Sequence, residues 1–168
     1  DEKGKLVIDY DPTSYDETKG YCTVAYWVFY GETDGNDDGD AIYKTVDGGE
    51  TWAKISELGY HGFIQVLHTT GEVFYAGKEG LFRSSAGGDN FEKIQTGEFT
   101  GLHIPFGTNN IFACTRERIY KSTNGGKDFI SFKPAGIVSP GLSNIRVGPV
   151  DENNLIVKTV VLIGSGTY

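Results

Sequence analysis

The sequence predicts an all-β chain built of four-stranded antiparallel blades, about three and a half of them, forming part of a larger β-propeller ring. Three observations carry this. One stretch is written three times: Ile42-Tyr43-Lys44-Thr45-Val46-Asp47-Gly48-Gly49-Glu50-Thr51-Trp52, then Leu81-Phe82-Arg83-Ser84-Ser85-Ala86-Gly87-Gly88-Asp89-Asn90-Phe91, then Ile119-Tyr120-Lys121-Ser122-Thr123-Asn124-Gly125-Gly126-Lys127-Asp128-Phe129. The closing aromatics fall at positions 52, 91 and 129, so 39 and 38 residues apart, a period that marks a repeat architecture. Gly is abundant at 24 residues, and between the Gly-rich turns lie short runs of Tyr, Phe, Val and Ile, the residues that favour strands. Each repeat holds four such runs, which is the make-up of a propeller blade.

The elements follow in order. Residues 5–10 form a short strand, and Asp11-Pro12-Thr13-Ser14 a turn. Residues 21–30 read as one long strand, apolar on both parities and therefore covered on both faces. An acidic loop, 31–40, leads to a strand at 42–46, a Gly-Gly turn and a return strand at 52–55. The second unit repeats this with strands at 63–67, 73–76, 81–84 and 91–94. The third has strands at 102–104, 111–115, 119–122 and 129–132. After a Pro/Gly/Ser-rich link a fourth unit opens with strands at 145–147 and 155–161. The blades are thus bounded at about 5–56, 62–95, 100–133 and, incomplete, 143–168, within a single propeller region. The expected partner at the open end is the rest of a propeller or another chain completing the ring, because a bare blade edge invites aggregation.

Composition narrows the function. The net charge of −8 argues against nucleic acid as a partner, since that affinity needs clustered Lys and Arg. No apolar run approaches the roughly 20 residues of a membrane span. The chain opens at Asp1 with neither an initiator Met nor a signal peptide, which reads as a processed or truncated chain. Cys22 and Cys114 lie in different repeats and read as two buried thiols.

At the repeated turns the chain resembles the Asp-box (BNR) repeat family, whose pattern is Ser/Thr-x-Asp-x-Gly-x-x-Trp/Phe. Thr45, Asp47, Gly49 and Trp52 match it fully. Ser122, Gly126 and Phe129 match with Asn124 in place of the Asp; Ser84, Gly88 and Phe91 match with Ala86 there. Asp and Asn at this position accept hydrogen bonds from their own turn, Gly supplies positive φ, and the aromatic anchors the hairpin. These residues are read as structural, and Ala86 makes the middle turn the least rigid. The family includes sialidases, xyloglucan-hydrolysing propellers, sortilin-type receptors and photosystem-assembly factors, so the resemblance implies the fold and leaves function open.

Candidate sites lie where the repeats differ. Asp34, Asn36, Asp38 and Asp40 place oxygen ligands at alternate positions beside Gly39, as in the start of a calcium loop, but Thr45 stands where the closing Glu belongs. The cofactor expectation is therefore Ca2+ or none, and the competing reading is a solvated acidic turn. Aligning the first strands puts Gln65, His103 and Arg146 at equivalent positions facing the central channel, either as a ligand site or as a wet lining. Glu98, Glu117 and Asp151 are available carboxylates, yet nothing in the sequence pairs them as a glycosidase requires. The sialidase Arg-Ile-Pro pattern is absent, since His103 precedes Ile104-Pro105. Whether the chain is an enzyme stays open. The leading expectation is a module of an extracellular or envelope protein that binds glycans or belongs to a glycoside hydrolase. The alternative is a non-enzymatic protein-interaction scaffold of the receptor or assembly-factor kind.

Overall fold

The computed structural model describes residues 7–29, 40–59, 62–135, 142, 144–147 and 160–161. They form three four-stranded antiparallel sheets, one two-stranded remnant of a fourth, and a small added hairpin. The first blade is β1 (Val7–Tyr10), β4 (Ala25–Phe29), β5 (Ala41–Thr45) and β6 (Ala53–Ser56), hydrogen-bonded in that order. The second is β7 (Phe63–Leu67), β8 (Glu72–Gly77), β9 (Gly80–Ala86) and β10 (Glu92–Gln95). The third is β11 (Phe99–His103), β12 (Ile111–Thr115), β13 (Ile119–Ser122) and β14 (Ile130–Phe132). β15 (Arg146–Val147) pairs with β16 (Val160–Val161) to open the fourth. The first strands of successive blades adjoin one another, β1 against β7, β7 against β11 and β11 against β15, so they are the innermost.

One expectation needs correction. Residues 21–30 are not one strand covered on both faces. β3 (Tyr21–Cys22) pairs with β2 (Tyr15–Asp16) in a hairpin inserted between β1 and β4, and the chain breaks at Thr23 and Val24. Side chains and turns at the insert absorb the freed backbone groups: Val24 N–H donates to Ser14 Oγ at 2.9 Å, and Thr23 C=O accepts from Gly48 N–H at 2.9 Å. A 3-10 turn at Pro12–Ser14, capped by the Asp11 carboxylate, starts the insert. Cys22 therefore sits half-buried in this hairpin, while Cys114 is buried in β12; both are free thiols.

The core lies between blades. Tyr26, Val28 and Ile42 of the first blade meet Ile64, Val66, Val73, Tyr75 and Phe82 of the second. Leu67, Phe74, Ala76 and Leu81 of the second meet Phe99, Leu102, Ile104, Ile111 and Ala113 of the third. Phe112, Cys114 and Ile119 meet Leu142, Ile145 and Val147 of the fourth. Each strand therefore alternates between a face turned to the preceding blade and a face turned to the next. Every fully buried Val, Leu, Ile or Phe contributes about 1.5–3 kcal/mol, so the blades hold one another rather than standing alone.

One contact recurs at the first two blade junctions. Strand pairing places Tyr26, Phe74 and Phe112 at one register position, opposite Lys44, Arg83 and Lys121. The Tyr26 ring lies against Gly88 of the next blade: a Cβ on Gly88 would fall 2.5 Å from its Cε1. The Phe74 ring lies likewise against Gly126, where a Cβ would fall 2.7 Å from Cε1. Both glycines have positive φ, +76° and +79°, so shape and backbone conformation both demand Gly here. Lys44 adds a hydrogen bond across the first junction, Nζ donating to the Gly87 carbonyl at 2.6 Å.

Candidate functional site

The innermost strands hold the channel candidates, and the structure gives each a structural partner. Gln65 and His103 occupy equivalent positions, and Asp9 is the third member, hidden from repeat counting by the insert that follows it. The Asp9 carboxylate accepts from Val66 N–H of the next blade at 2.8 Å. The Gln65 carbonyl oxygen accepts from Ile104 N–H of the next blade. The His103 ring nitrogen Nε2 lies 3.2 Å from the Val147 carbonyl of the blade after that. Each side chain thus ties its blade to the residue one step beyond its own equivalent in the following blade. Arg146 differs: its guanidinium turns back to Asn144 Oδ1 and the Ile145 carbonyl, both at 2.8 Å, and to Leu102 C=O at 3.4 Å. Burial raises the Asp9 carboxyl above the usual carboxylate range, against the hydrogen bonds it accepts. Burial also lowers His103, and the Arg146 charge adds to the effect, so the neutral imidazole is favoured.

The repeated turns show how one residue type changes the wiring. In the first, Thr45 Oγ1 donates to Asp47 Oδ1 at 2.7 Å and accepts from Gly49 N–H at 2.9 Å, while Asp47 accepts from Thr51 N–H at 3.0 Å. In the third, Ser122 and Asn124 make the same set: Gly126 N–H reaches Ser122 Oγ at 2.9 Å and Asp128 N–H reaches Asn124 Oδ1 at 3.1 Å. In the middle turn Ala86 offers no acceptor. Ser84 Oγ there points to the Asp89 carbonyl at 3.0 Å, Gly88 N–H turns to the Ser85 carbonyl, and Asn90 takes positive φ. The Thr51 hydroxyl and amide, with Thr45, hold the Asp47 carboxyl well below the ordinary range. Trp52 closes its turn by donating Nε1–H to Gly49 C=O at 3.2 Å, and Phe91 and Phe129 pack against the two inter-blade cores.

Two groupings were invisible in the sequence. At the end of the innermost strands, His68 lies between Tyr10 and Phe106, with ring centroids 6.1 and 4.7 Å away. Three blades contribute one ring each. Tyr10 is 47% and Phe106 71% exposed, and neither buried ring nitrogen of His68 has a hydrogen-bond partner. At the opposite rim, Glu98, Arg116, Glu117 and Arg118 line a shallow hollow of about 300 Å³ with Gly97 and Thr115. Glu98 and Glu117, unpaired in sequence, are neighbours there. Both Glu98 and Arg116 are exposed and stand 4.0 Å apart, whereas a glycosidase acid needs a desolvated carboxyl.

Of the calcium candidates, Asp34, Asn36 and Asp38 lie outside the described residues. Asp40 is described, half-buried at the foot of β5. Among the described residues no three His, Cys, Asp or Glu side chains gather as a metal site, and no helix is long and apolar enough to cross a membrane. Asp151 also lies outside the described residues.

Comparison with solved structures yields propellers. YCF48 from Cyanidioschyzon merolae is 26% identical over 77% of this chain and 37% of its own, with a TM-score of 0.52. The fold is a partial β-propeller. The GH74 enzyme of Niastella koreensis is 19% identical over 84% of this chain and 24% of its own, with a TM-score of 0.58. YCF48 bound to D1 peptide is 16% identical over 84% of this chain and 42% of its own, at a TM-score of 0.51. The chain thus spans less than half the length of each. No family model matches the sequence, and no curated protein matches it.

Proposed function

We propose that this chain is an Asp-box propeller module that recognises a partner polypeptide and is not itself a catalyst. The Tyr10–His68–Phe106 cluster carries the reading. It places exposed aromatic surface across three blades at one rim, where adjoining loops leave a His without hydrogen-bond partners. Exposed aromatic rings at a rim supply rigid contact area with little ordering cost. The polar side chains of Asp9, Gln65 and His103 support the same reading from the other side, because they are engaged in blade ties and leave no opposed carboxylate pair on these strands. The likeness to YCF48, a structure of which is bound to a D1 peptide, agrees with a peptide ligand.

The second reading is glycan recognition, favoured by the fold shared with the GH74 enzyme and by the affinity of exposed aromatic faces for sugar rings. A peptide array and an oligosaccharide array probed with the purified chain separate the two. Peptide binding that Phe106→Ala and Tyr10→Ser abolish supports the proposal. Binding to oligosaccharides alone, or peptide binding unchanged by both substitutions, overturns it.

A further inference from the structure

Asn is followed by Gly once in the chain, at Asn124-Gly125. That pair is chemically labile, because a residue without a side chain lets its backbone nitrogen approach the Asn side-chain carbon. The nitrogen of Gly125 bonds to Asn124 Cγ, the Cγ–Nδ2 bond breaks, and the amide leaves as ammonia with the proton that Gly125 gives up. Water then opens the cyclic imide at either carbonyl. The product is aspartate or, with one more carbon in the main chain, isoaspartate. Asn124 is exposed, so water reaches it freely.

The folded turn opposes the first step. Gly125 donates its N–H to the Asn109 carbonyl at 3.0 Å, which holds the nitrogen against the turn between β11 and β12. Asn124 Oδ1 accepts from Ser122 Oγ at 2.9 Å and from Asp128 N–H at 3.1 Å. Nδ2, the group that must leave, donates to Asp128 Oδ2 at 3.0 Å. The side chain and the nitrogen are both held, and bringing them together requires the turn to open locally.

The residue four places on decides how the turn receives the product. In the first turn Asp47 faces Thr51, whose hydroxyl donates to Oδ2 at 2.5 Å. In the third turn Asn124 faces Asp128 and gives it a hydrogen bond. A carboxylate at position 124 has no proton to give and stands against a second carboxylate. Restoring the repeat's Asp therefore weakens this turn, and isoaspartate also displaces Gly125 and Gly126 along the chain. Gly126 has no slack, since a Cβ there would fall 2.7 Å from Phe74 Cε1.

We infer that Asn124 is a modification site gated by the fold. It deamidates when the third turn opens, with water as co-reactant, and the acid so formed leaves the turn loosened at the junction of the second and third blades. The inference rests on the turn alone and stands apart from peptide recognition at the Tyr10–His68–Phe106 rim.

The test incubates the full chain at mildly alkaline pH, folded and in guanidinium. Peptide mapping follows position 124 by the mass gain of an amide turned to an acid. Unfolding should speed the conversion about tenfold or more, because a reaction of the opened state follows the open fraction. Asp128→Ala, at an exposed position, should speed it several-fold in the folded chain and leave the rate in guanidinium unchanged. Asn124→Asp should lower the melting temperature by about 1–3 °C, the scale of one exposed like-charge pair. Asn124→Asp combined with Asp128→Thr, the first turn's own pair, should recover that loss. Equal rates in the folded and unfolded chain, or no conversion in guanidinium, overturn the inference. So does an Asp128→Ala chain that converts no faster than the parent. An Asn124→Asp chain as stable as the parent, or a paired variant that recovers nothing, overturns it as well.

Discussion

Gly125 and Gly126 stand side by side in the third repeated turn, and Ala at the two positions should have different consequences. Their φ values are +70° and +79°, so either Ala pays the left-handed cost of about 1–2 kcal/mol. At Gly125 the new methyl meets only Leu67 Cδ2 at 3.5 Å, an ordinary contact. At Gly126 it would fall 2.7 and 2.9 Å from Cε1 and Cζ of Phe74 and 3.2 Å from Cδ1 of Ile111. Phe74 is wholly buried between the second and third blades and has nowhere to retreat. Overpacking of this kind costs a further 1–3 kcal/mol or so. Gly126→Ala should therefore destabilise by about 2–5 kcal/mol and Gly125→Ala by about 1–2 kcal/mol. Urea titrations read the difference as a shift in midpoint at constant m-value, and in thermal melts it is worth roughly 2–4 °C per kcal/mol for a chain of this length. Combining Gly126→Ala with Phe74→Leu should recover part of the loss, a coupling expected only of residues in contact. Equal midpoints for the two Ala variants, or strict additivity with Phe74→Leu, would refute ring-on-glycine docking between blades.

Other expectations follow from the same geometry. The buried Tyr26 hydroxyl has no hydrogen-bond partner and Phe occupies the equivalent positions 74 and 112, so Tyr26→Phe should be neutral or stabilising by about 1 kcal/mol; a clear loss of stability in urea would show that the hydroxyl is bonded. Gln65→Leu leaves the Ile104 N–H without its acceptor and should cost about 1–3 kcal/mol by the same assay, with protection from hydrogen exchange lost at Ile104 first. The depressed Asp47 carboxyl contributes stability that is present above its unfolded pKa and lost as pH falls through the folded one; Asp47→Asn, the third turn's own residue, should flatten the melting temperature below pH 4, and an unchanged acid limb would refute this. His103 is lowered below 6.5, so the unfolded chain binds its proton first; stability present above pH 6.5 should decline as pH falls toward the folded value, and His103→Gln should remove that slope in melts from pH 7 to 5.

Much of the architecture was readable from residues 42–52, 81–91 and 119–129, because Gly-Gly turns at fixed spacing leave few alternatives to stacked hairpins. The alignment of Gln65, His103 and Arg146 on innermost strands was also readable. Their partners were not, since a side chain reaching the next blade depends on blade rotation, which periodicity does not encode. Asp9 was missed because residues 11–24 interrupt the period between β1 and β4. The apolar run at 21–30 misled for a related reason: hydrophobicity is identical in a strand and in a hairpin arm, and only the hydrogen bonds at Thr23 and Val24 separate them. The Tyr10–His68–Phe106 cluster joins three turns far apart in the chain and carries no local motif. The ring position at Tyr26, Phe74 and Phe112 was legible in principle, as an aromatic recurring in each second strand.

The ring-on-glycine contacts and the Asp9 and Gln65 ties run in one direction, although Arg146 reaches back to Leu102 C=O. The earlier blade supplies the ring, the basic side chain at the first junction and the acceptor at Asp9 or Gln65; the later blade supplies the glycine and the backbone N–H. A ribosome releases this chain from its start, so each template is complete before its client emerges. Every new blade then meets a surface already shaped for it.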